Sequence, residues 1–439
     1  MNTLCEAFRP MPTLAALAAL ISLSPLAGQA EDYTYTTTNG TITITRYNGP
    51  GGNVAIPGTI SALPVTTIGE RAFSRCASLT GATIPNSVTT IGHLAFFNST
   101  NLTSVSIPNS VSSISNKAFY SCLRLGSVTI PSSVTNLGLQ AFVGCRSLMA
   151  ITVKESNTVL SSVAGVLFNK TKTKLLQYPA ARRGNQYTIP SSITSIGDAA
   201  FHSCTNLTSV RIPESVTSIE DQAFARCASL TSVTIPDTVT NIGMSAFHGC
   251  TSLARAALPD RVVSISRGMF FGCSNLTSVR IPQSVISIED QAFVGCASLT
   301  NVTISDRVTR LGRMVFVDCT NLATVTLGNR ITGVGDFAFS GCMSLTNITM
   351  PNSVTSIGSS AFGDCTHLTS LAFPTNVTRI GNWAFSGCTG LAAVYFRGNA
   401  PGIGTAVFRG ATNVTVYYLP GSTGWGARFG ECPTAVWKP

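Results

Sequence analysis

The stretch "SVTSIEDQAFARCASLTSVTIPD", Ser215 to Asp237, returns three periods later as "SVISIEDQAFVGCASLTNVTISD", Ser284 to Asp306. Looser copies surround both, so the unit that folds is the repeat. Phenylalanines mark its register: Phe73, Phe96, Phe119 and Phe142, then Phe201, Phe224, Phe247, Phe270, Phe293, Phe316, Phe339, Phe362, Phe385 and Phe408, each 23 residues from the last within its run. The interval from Phe142 to Phe201 is 59 residues, two periods and 13 more, which places irregular, insertion-bearing units at 151–190. A regular unit is S-V-x-x-I-G-x-x-A-F-x-x-C-x-x-L-x-x-V-x-I-P-x. In the first copy Val216, Ile219, Ala223, Phe224, Cys227, Leu230, Val233 and Ile235 are its apolar positions, and neither the helical nor the strand period connects them. Only Leu230 to Ile235 alternates like a strand, and Pro236 with Asp237 supplies a turn. This pattern predicts a coil that changes direction within each unit and stacks on its neighbours, so that every apolar column, the phenylalanines included, runs on as a structural core. At about 4.8 Å per unit, about 16 units give a body on the order of 75 Å long.

The composition agrees with a repetitive architecture: of 439 residues, 44% are hydrophobic and only 10% charged, an unusual balance for a compact globule. Residues 1–30 have the form of a secretory signal peptide, with Arg9, an apolar run from Leu14 to Leu26, and small Gly28 and Ala30 ahead of Glu31. That run is too short for a comfortable membrane span, and no later stretch is long enough. The "LPGST" at Leu419 to Thr423 lacks the final glycine of a cell-wall sorting signal and has no apolar tail. The expectation is a secreted or cell-surface chain with no evident anchor. Its domains are a signal peptide (1–30), an N-terminal β cap (31–64), the repeats (65–420) and a C-terminal cap (421–439).

The residues A-F-x-x-C followed by L-x-x-V-x-I-P resemble the BspA-like subclass of leucine-rich repeats, found in secreted and surface proteins of bacteria. The resemblance covers roughly Val65 to Pro420. The insertion "SSVAGVLFNKTKTKLLQYP" (Ser161 to Pro179) and the lead-in "YTYTTTNGTITITRYNGPGGNVAIP" (Tyr33 to Pro57) are similar to segments of the same family. The resemblance implies a β-rich, right-handed parallel superhelix, with short strands on one face and turns or short helical pieces elsewhere. It implies no single shared activity.

Twelve of the 14 cysteines stand three residues after a repeat phenylalanine: Cys76, Cys122, Cys145, Cys204, Cys227, Cys250, Cys273, Cys296, Cys319, Cys342, Cys365 and Cys388. A secreted chain invites a disulfide reading. In-register neighbours on a parallel stack, however, keep their Cβ atoms about 4.8 Å apart, and a disulfide wants about 3.8 Å. Ser99 and Ala411 fill the same column, which marks a slot for a small buried side chain. The expectation is a ladder of reduced, buried thiols used as small hydrophobes. Cys432, beyond the last repeat, is expected to be the one reactive thiol. One sulfur per unit in a straight line cannot close a tetrahedral metal site, so neither a metal nor another cofactor is expected.

Catalytic motifs are missing: there is no H-E-x-x-H, no G-x-S-x-G and no phosphate-cradling loop. His202 and His248 share a column two units apart, about 10 Å, too far to share a metal. Glu220-Asp221 and Glu289-Asp290 recur at one repeat offset, as a solvated turn would. The expectation is a chain that is not an enzyme. Without residues 1–30 the chain keeps 27 basic and 17 acidic residues, still +10. Its densest basic stretch is the insertion, where Lys170, Lys172, Lys174, Arg182 and Arg183 could meet an anionic surface. The secreted address argues against nucleic acid as a partner. Ten residues after each phenylalanine, the outward strand position is most often threonine, ordinary β-propensity. Arg211, Arg280, Tyr395 and Tyr418 interrupt it as candidate anchors, Arg and Tyr being enriched at interface hot spots. The leading function is therefore an adhesin-like module binding protein or glycan through the solenoid surface. A self-assembling envelope protein comes second, and ice or mineral binding by the threonines third.

Overall fold

Every apolar position of the unit Ser215 to Asp237 faces inward: Val216, Ile219, Ala223, Phe224, Cys227, Leu230, Val233 and Ile235 are all buried. The computed structural model describes residues 26–27 and 30–438, so the signal-peptide reading falls almost wholly outside the described residues. Stacked copies of the unit form a parallel β-solenoid of about 16 turns.

Each turn contributes two strands. The longer, Ser232–Thr234, pairs in parallel with Ser209–Arg211 before it and Arg255–Ala257 after it. The shorter, Ser218–Ile219, pairs with Ser195–Ile196 and Asn241–Ile242. The third side is a tight turn around Ala223-Phe224. There the backbone bonds from unit to unit as well, with the Gln222, Phe224 and Arg226 amides donating to the carbonyls of Met244, Ala246 and His248 at 2.8, 2.8 and 2.6 Å. Gln222 and Arg226 hold φ of 55° and 60°. Left-handed residues this close together interrupt any run of right-handed helix, so the units turn without helical pieces. The second of these positions is glycine in many units, among them Gly144, Gly249 and Gly272, because glycine takes that φ at no steric cost.

The "ED" of the opening stretch is a staple between units. The Glu220 carboxylate accepts from Ser195 Oγ at 2.9 Å and the Asp198 amide at 3.1 Å, one unit back. Asp221 accepts from the Met244 amide at 2.7 Å, one unit forward. Glu289 and Asp290 repeat the arrangement with Ser264, Arg267 and Arg313.

Phenylalanine rings stack along the axis. From Phe201 to Phe408 successive centroids lie 4.9 to 5.6 Å apart, with planes within 13°. The stack is interrupted at the insertion, an antiparallel meander of Leu160–Val163, Val166–Asn169 and Lys174–Gln177. Its last strand pairs in parallel with Ser195–Ile196 and so joins the short-strand ladder. Alternation along the middle strand sends Leu167 into the N-terminal core and Val166 and Phe168 into the C-terminal one, so the meander is a partition between two cores. Tyr178, 5.2 Å from Phe201, starts the second stack.

The ends are closed by other means. The hairpin of Tyr33–Thr38 and Thr41–Tyr47 lies at the N-terminal end. Its Tyr47 ring continues the phenylalanine stack, 5.1 Å from Phe73. At the other end Cys432–Val436 adds a strand beside Thr415–Tyr418.

The thiol column differs from expectation in two ways. Its sulfurs are donors: the thiol of Cys227 donates to the Phe201 carbonyl at 3.0 Å, and that of Cys250 to Phe224 at 3.2 Å. The pattern continues through Cys388, whose thiol donates to Phe362 at 2.9 Å. Ser99 makes the same bond to Phe73 at 2.6 Å, so the slot selects a small donor as well as a small side chain. The second difference concerns exposure. Cys432, expected to be open, is buried at 5% exposure within the C-terminal core. Cys76 is the half-exposed member of the column.

Candidate binding surface

The long-strand face presents its outward residues at 23-residue intervals from Arg211 as far as Tyr395, with the hydrogen-bonded ladder pausing between Arg280 and Thr303 and between Thr349 and Ala372. Arg211 stands between Thr188 and Thr234, exposed and without an ion pair among the described residues. Arg280, three rungs on, is tied to Asp260 at 2.7 Å, both ends being well exposed. Such a surface pair contributes little. Tyr395 lies five rungs beyond Arg280, about 24 Å at the strand spacing, so the expected anchors do not converge on one spot.

Tyr418 is not an outward residue in line with Tyr395. The register pairs Tyr395 with Tyr417 and Phe396 with Tyr418. The last unit is one residue short between Val414 and Val416, so the 23-residue count overshoots there. Tyr418 lies in the column of Phe373 and Phe396 and stacks on Trp425, with centroids 5.1 Å apart and planes at 4°. The outward tyrosine is Tyr417.

The insertion's cations are largely engaged. Lys174 pairs with Glu220 at 2.6 Å. Lys170 Nζ donates to the carbonyls of Asn157 and Glu155. The Arg182 guanidinium lies 5.6 Å from the Tyr178 ring and 5.7 Å from Tyr187, and donates to the Ala164 carbonyl at 3.2 Å. Lys172 and Arg183 are left exposed. The stretch that looked like a free basic patch is mostly internal bracing of the meander.

A trough does form on the long-strand face toward its C-terminal end. Its floor is Thr349 and Ala372, its rim carries Asn347, Asn352, Ser370 and Arg397, and Tyr395 closes one end. The Tyr395 ring stacks on Tyr417 at 5.1 Å and 18°, and Trp437 leans against it at 5.1 Å and 53°. Arg397 lies over Trp437 at 6.0 Å. Tyr417, Trp437 and Arg397 escaped the sequence reading because the shortened last unit hides the first and chain reversal delivers the second. A further trough on the short-strand face is lined by Arg310, Arg313 and Arg379 over Gly333 and Ser356. Arg313 there is drawn toward Asp336 at 3.4 Å.

Burial shifts the column thiols and one histidine. Burial pushes the thiols of Cys227, Cys250, Cys273, Cys296 and Cys342 well up, and their neighbours in the column add to the effect. Burial, with the Arg226 charge nearby, lowers the His202 imidazole to about 4. Among the described residues no cluster of three or more His, Cys, Asp or Glu could hold a metal ion, and no helix is long and apolar enough to cross a membrane.

A family model described as the BspA type leucine rich repeat region (6 copies) matches residues 66–182, 182–299 and 286–415. The chain belongs to the BspA type leucine rich repeat family. Among solved structures, this BspA type chain is similar to a leucine-rich repeat protein from Eubacterium ventriosum, with 26% identity over 75% of this chain and 91% of that one, at a TM-score of 0.47. A leucine-rich repeat protein from Bacteroides ovatus is 27% identical over 89% of this chain and 94% of its own, at a TM-score of 0.46. A leucine rich cell surface protein from Faecalibacterium prausnitzii is 23% identical over 74% and 94%, at 0.34. A search of the curated proteins finds no match.

Proposed function

We propose that this chain is a non-enzymatic binding module, exported to the cell surface or medium, which recognises a protein or glycan partner through its long-strand face. The observation that carries this reading is the trough ending at Tyr395, a half-buried aromatic wall rising from a floor of small residues. Rigid aromatic anchors on a pre-formed surface bind with little loss of conformational entropy. The stacked solenoid supplies the rigidity, since the Tyr395 strand is paired on both sides, with Ser370–Phe373 and with Thr415–Tyr418. The raised thiols and the neutral, buried His202 also support a binding role over a catalytic one, because a thiol needs a lowered pKa to act as a nucleophile.

Probing an array of glycans and extracellular-matrix proteins with residues 31–439 tests the reading. The expected result is a ligand retained by the wild type and lost by Tyr395→Ala, while a substitution on the short-strand face, Arg379→Ala, keeps it. Concentration-dependent assembly with no retained ligand would favour the envelope reading.

A further inference from the structure

We propose that the trough beside Tyr395 is a carbohydrate subsite that takes one neutral pyranose ring, stacked on the open face of the Tyr395 phenol. This rests on the binding reading above and adds the chemical class of ligand.

On the next rung Tyr417 stacks on Tyr395 at 5.1 Å, close to the rung spacing. One rung toward the N-terminus the register partner of Tyr395 is Ala372. Its methyl group does not reach up beside the phenol, so the stack stops and one ring face overlooks the trough. Tyr417 and Trp437 brace the ring from the other side, which fixes its plane.

The rim decides what can lie against that face. A protein hot spot seats an apolar side chain in a desolvated pocket, but here the accessible apolar surface is one ring face and the Ala372 methyl, Met350, Pro351, Phe373 and Pro374 being buried beneath, and the surroundings are Asn347, Asn352, Ser370 and Arg397, all exposed. Two amides, a hydroxyl and a guanidinium offer both donors and acceptors. A pyranose has the complementary form. One face presents C–H groups, whose positive edge suits the negative face of an aromatic ring, and its perimeter is hydroxyls that donate and accept. The rungs of Asn347, Ser370 and Tyr395 span about 10 Å, enough for one ring with its substituents. Arg397 is the one charged side chain of the trough and is drawn over Trp437, so the ring face and the uncharged Asn347, Asn352 and Ser370 carry the recognition, and the ligand is a neutral pyranose.

Trp437, in contact with Tyr395, makes tryptophan fluorescence a reporter. Residues 31–439 are titrated with soluble neutral oligosaccharides of the glucan, mannan, galactan and xylan series. We expect a saturable change with at least one series. Tyr395→Ala should weaken it about tenfold, the loss of one aromatic contact. Tyr395→Phe should retain it, because the ring face remains, and Ala372→Trp should abolish it by extending the stack over that face. Arg211→Ala, eight rungs away, should behave as wild type. If no oligosaccharide binds but an array protein does and is lost with Tyr395→Ala, the ligand class is wrong and the binding reading stands. If neither binds, both fall. A sugar bound equally by wild type, Tyr395→Ala and Ala372→Trp would overturn the site.

Discussion

Replacing Cys250 by serine, alanine and valine distinguishes a thiol that donates from one that merely fills space. Cys250 is fully buried, and its thiol lies 3.2 Å from the Phe224 carbonyl, which also accepts the Cys227 amide at 3.2 Å. Alanine removes a methylene-sized group, about 1 kcal/mol of transfer, with a further cavity cost because neighbouring rungs are fixed by backbone pairing. About 1.5–2 kcal/mol is the expected loss. Valine adds branching against Cys227 and Cys273 and deletes the donor, which should cost about 2–3 kcal/mol through overpacking. Serine keeps the donor in the geometry that Ser99 shows at 2.6 Å, so its cost should be about 1 kcal/mol or below. The expected order of stability is wild type, serine, alanine, valine. It is read from urea midpoints at matched slopes and from hydrogen exchange of peptides spanning 224–273, which localises the loss if the array does not unfold as one unit. A buried hydroxyl with no acceptor costs about 1–3 kcal/mol, so a serine variant ranking last would refute the donor role.

Three other outcomes follow from the same geometry. Under native conditions a thiol reagent should modify half-exposed Cys76 first and Cys432 more slowly, because burial raises both thiols but only Cys76 is open to the reagent; quantitative mass mapping that found Cys432 fastest would contradict the burial described. Arg226→Gly should raise the unfolding free energy by up to about 1 kcal/mol, read from urea melts, since Arg226 holds φ of 60° and glycine takes that conformation without the side-chain clash; a loss of stability would show that the arginine side chain supports the turn. His202, held neutral down to about 4 against an ordinary 6.5, binds a proton more readily unfolded than folded. Stability should therefore fall as pH drops from about 6.5 toward 4, by up to about 3 kcal/mol, and His202→Gln should flatten that window in urea titrations at stepped pH.

The fold was legible because a 23-residue period repeated in register leaves few options. Val216, Ile219, Phe224, Leu230 and Ile235 recur as columns, and only stacking buries all of them. What the period did not reveal was local. Ser218–Ile219 is too short to show alternation, so the second strand ladder went unseen. The left-handed residues at Gln222 and Arg226 carry ordinary side chains, so nothing in their identity excluded helical pieces. Ser99 was the available clue that the cysteine column donates hydrogen bonds, because a hydroxyl, like a thiol, carries a proton. The binding surface was legible only in part. Tyr395 was found by counting ten residues from Phe385, but the same count from Phe408 fell on Tyr418 because the last unit is one residue short. Trp437 reaches Tyr395 through a chain reversal that no periodicity encodes. Lys174 and Arg182 looked free because Glu220 and Tyr187 lie 46 and 5 residues away in the sequence, with no motif joining them.

The most direct test of the central claim, that this repeat stack is a binding module working through its long-strand face, is a hydrogen-exchange footprint of residues 31–439 with and without a ligand taken from the array. Ligand-dependent protection is expected to be confined to the strands and turns of residues 347–397 and to 417–437. Protection centred on the short-strand face around Arg310 and Arg379, or on the turns around Phe224 and its equivalents, would contradict it.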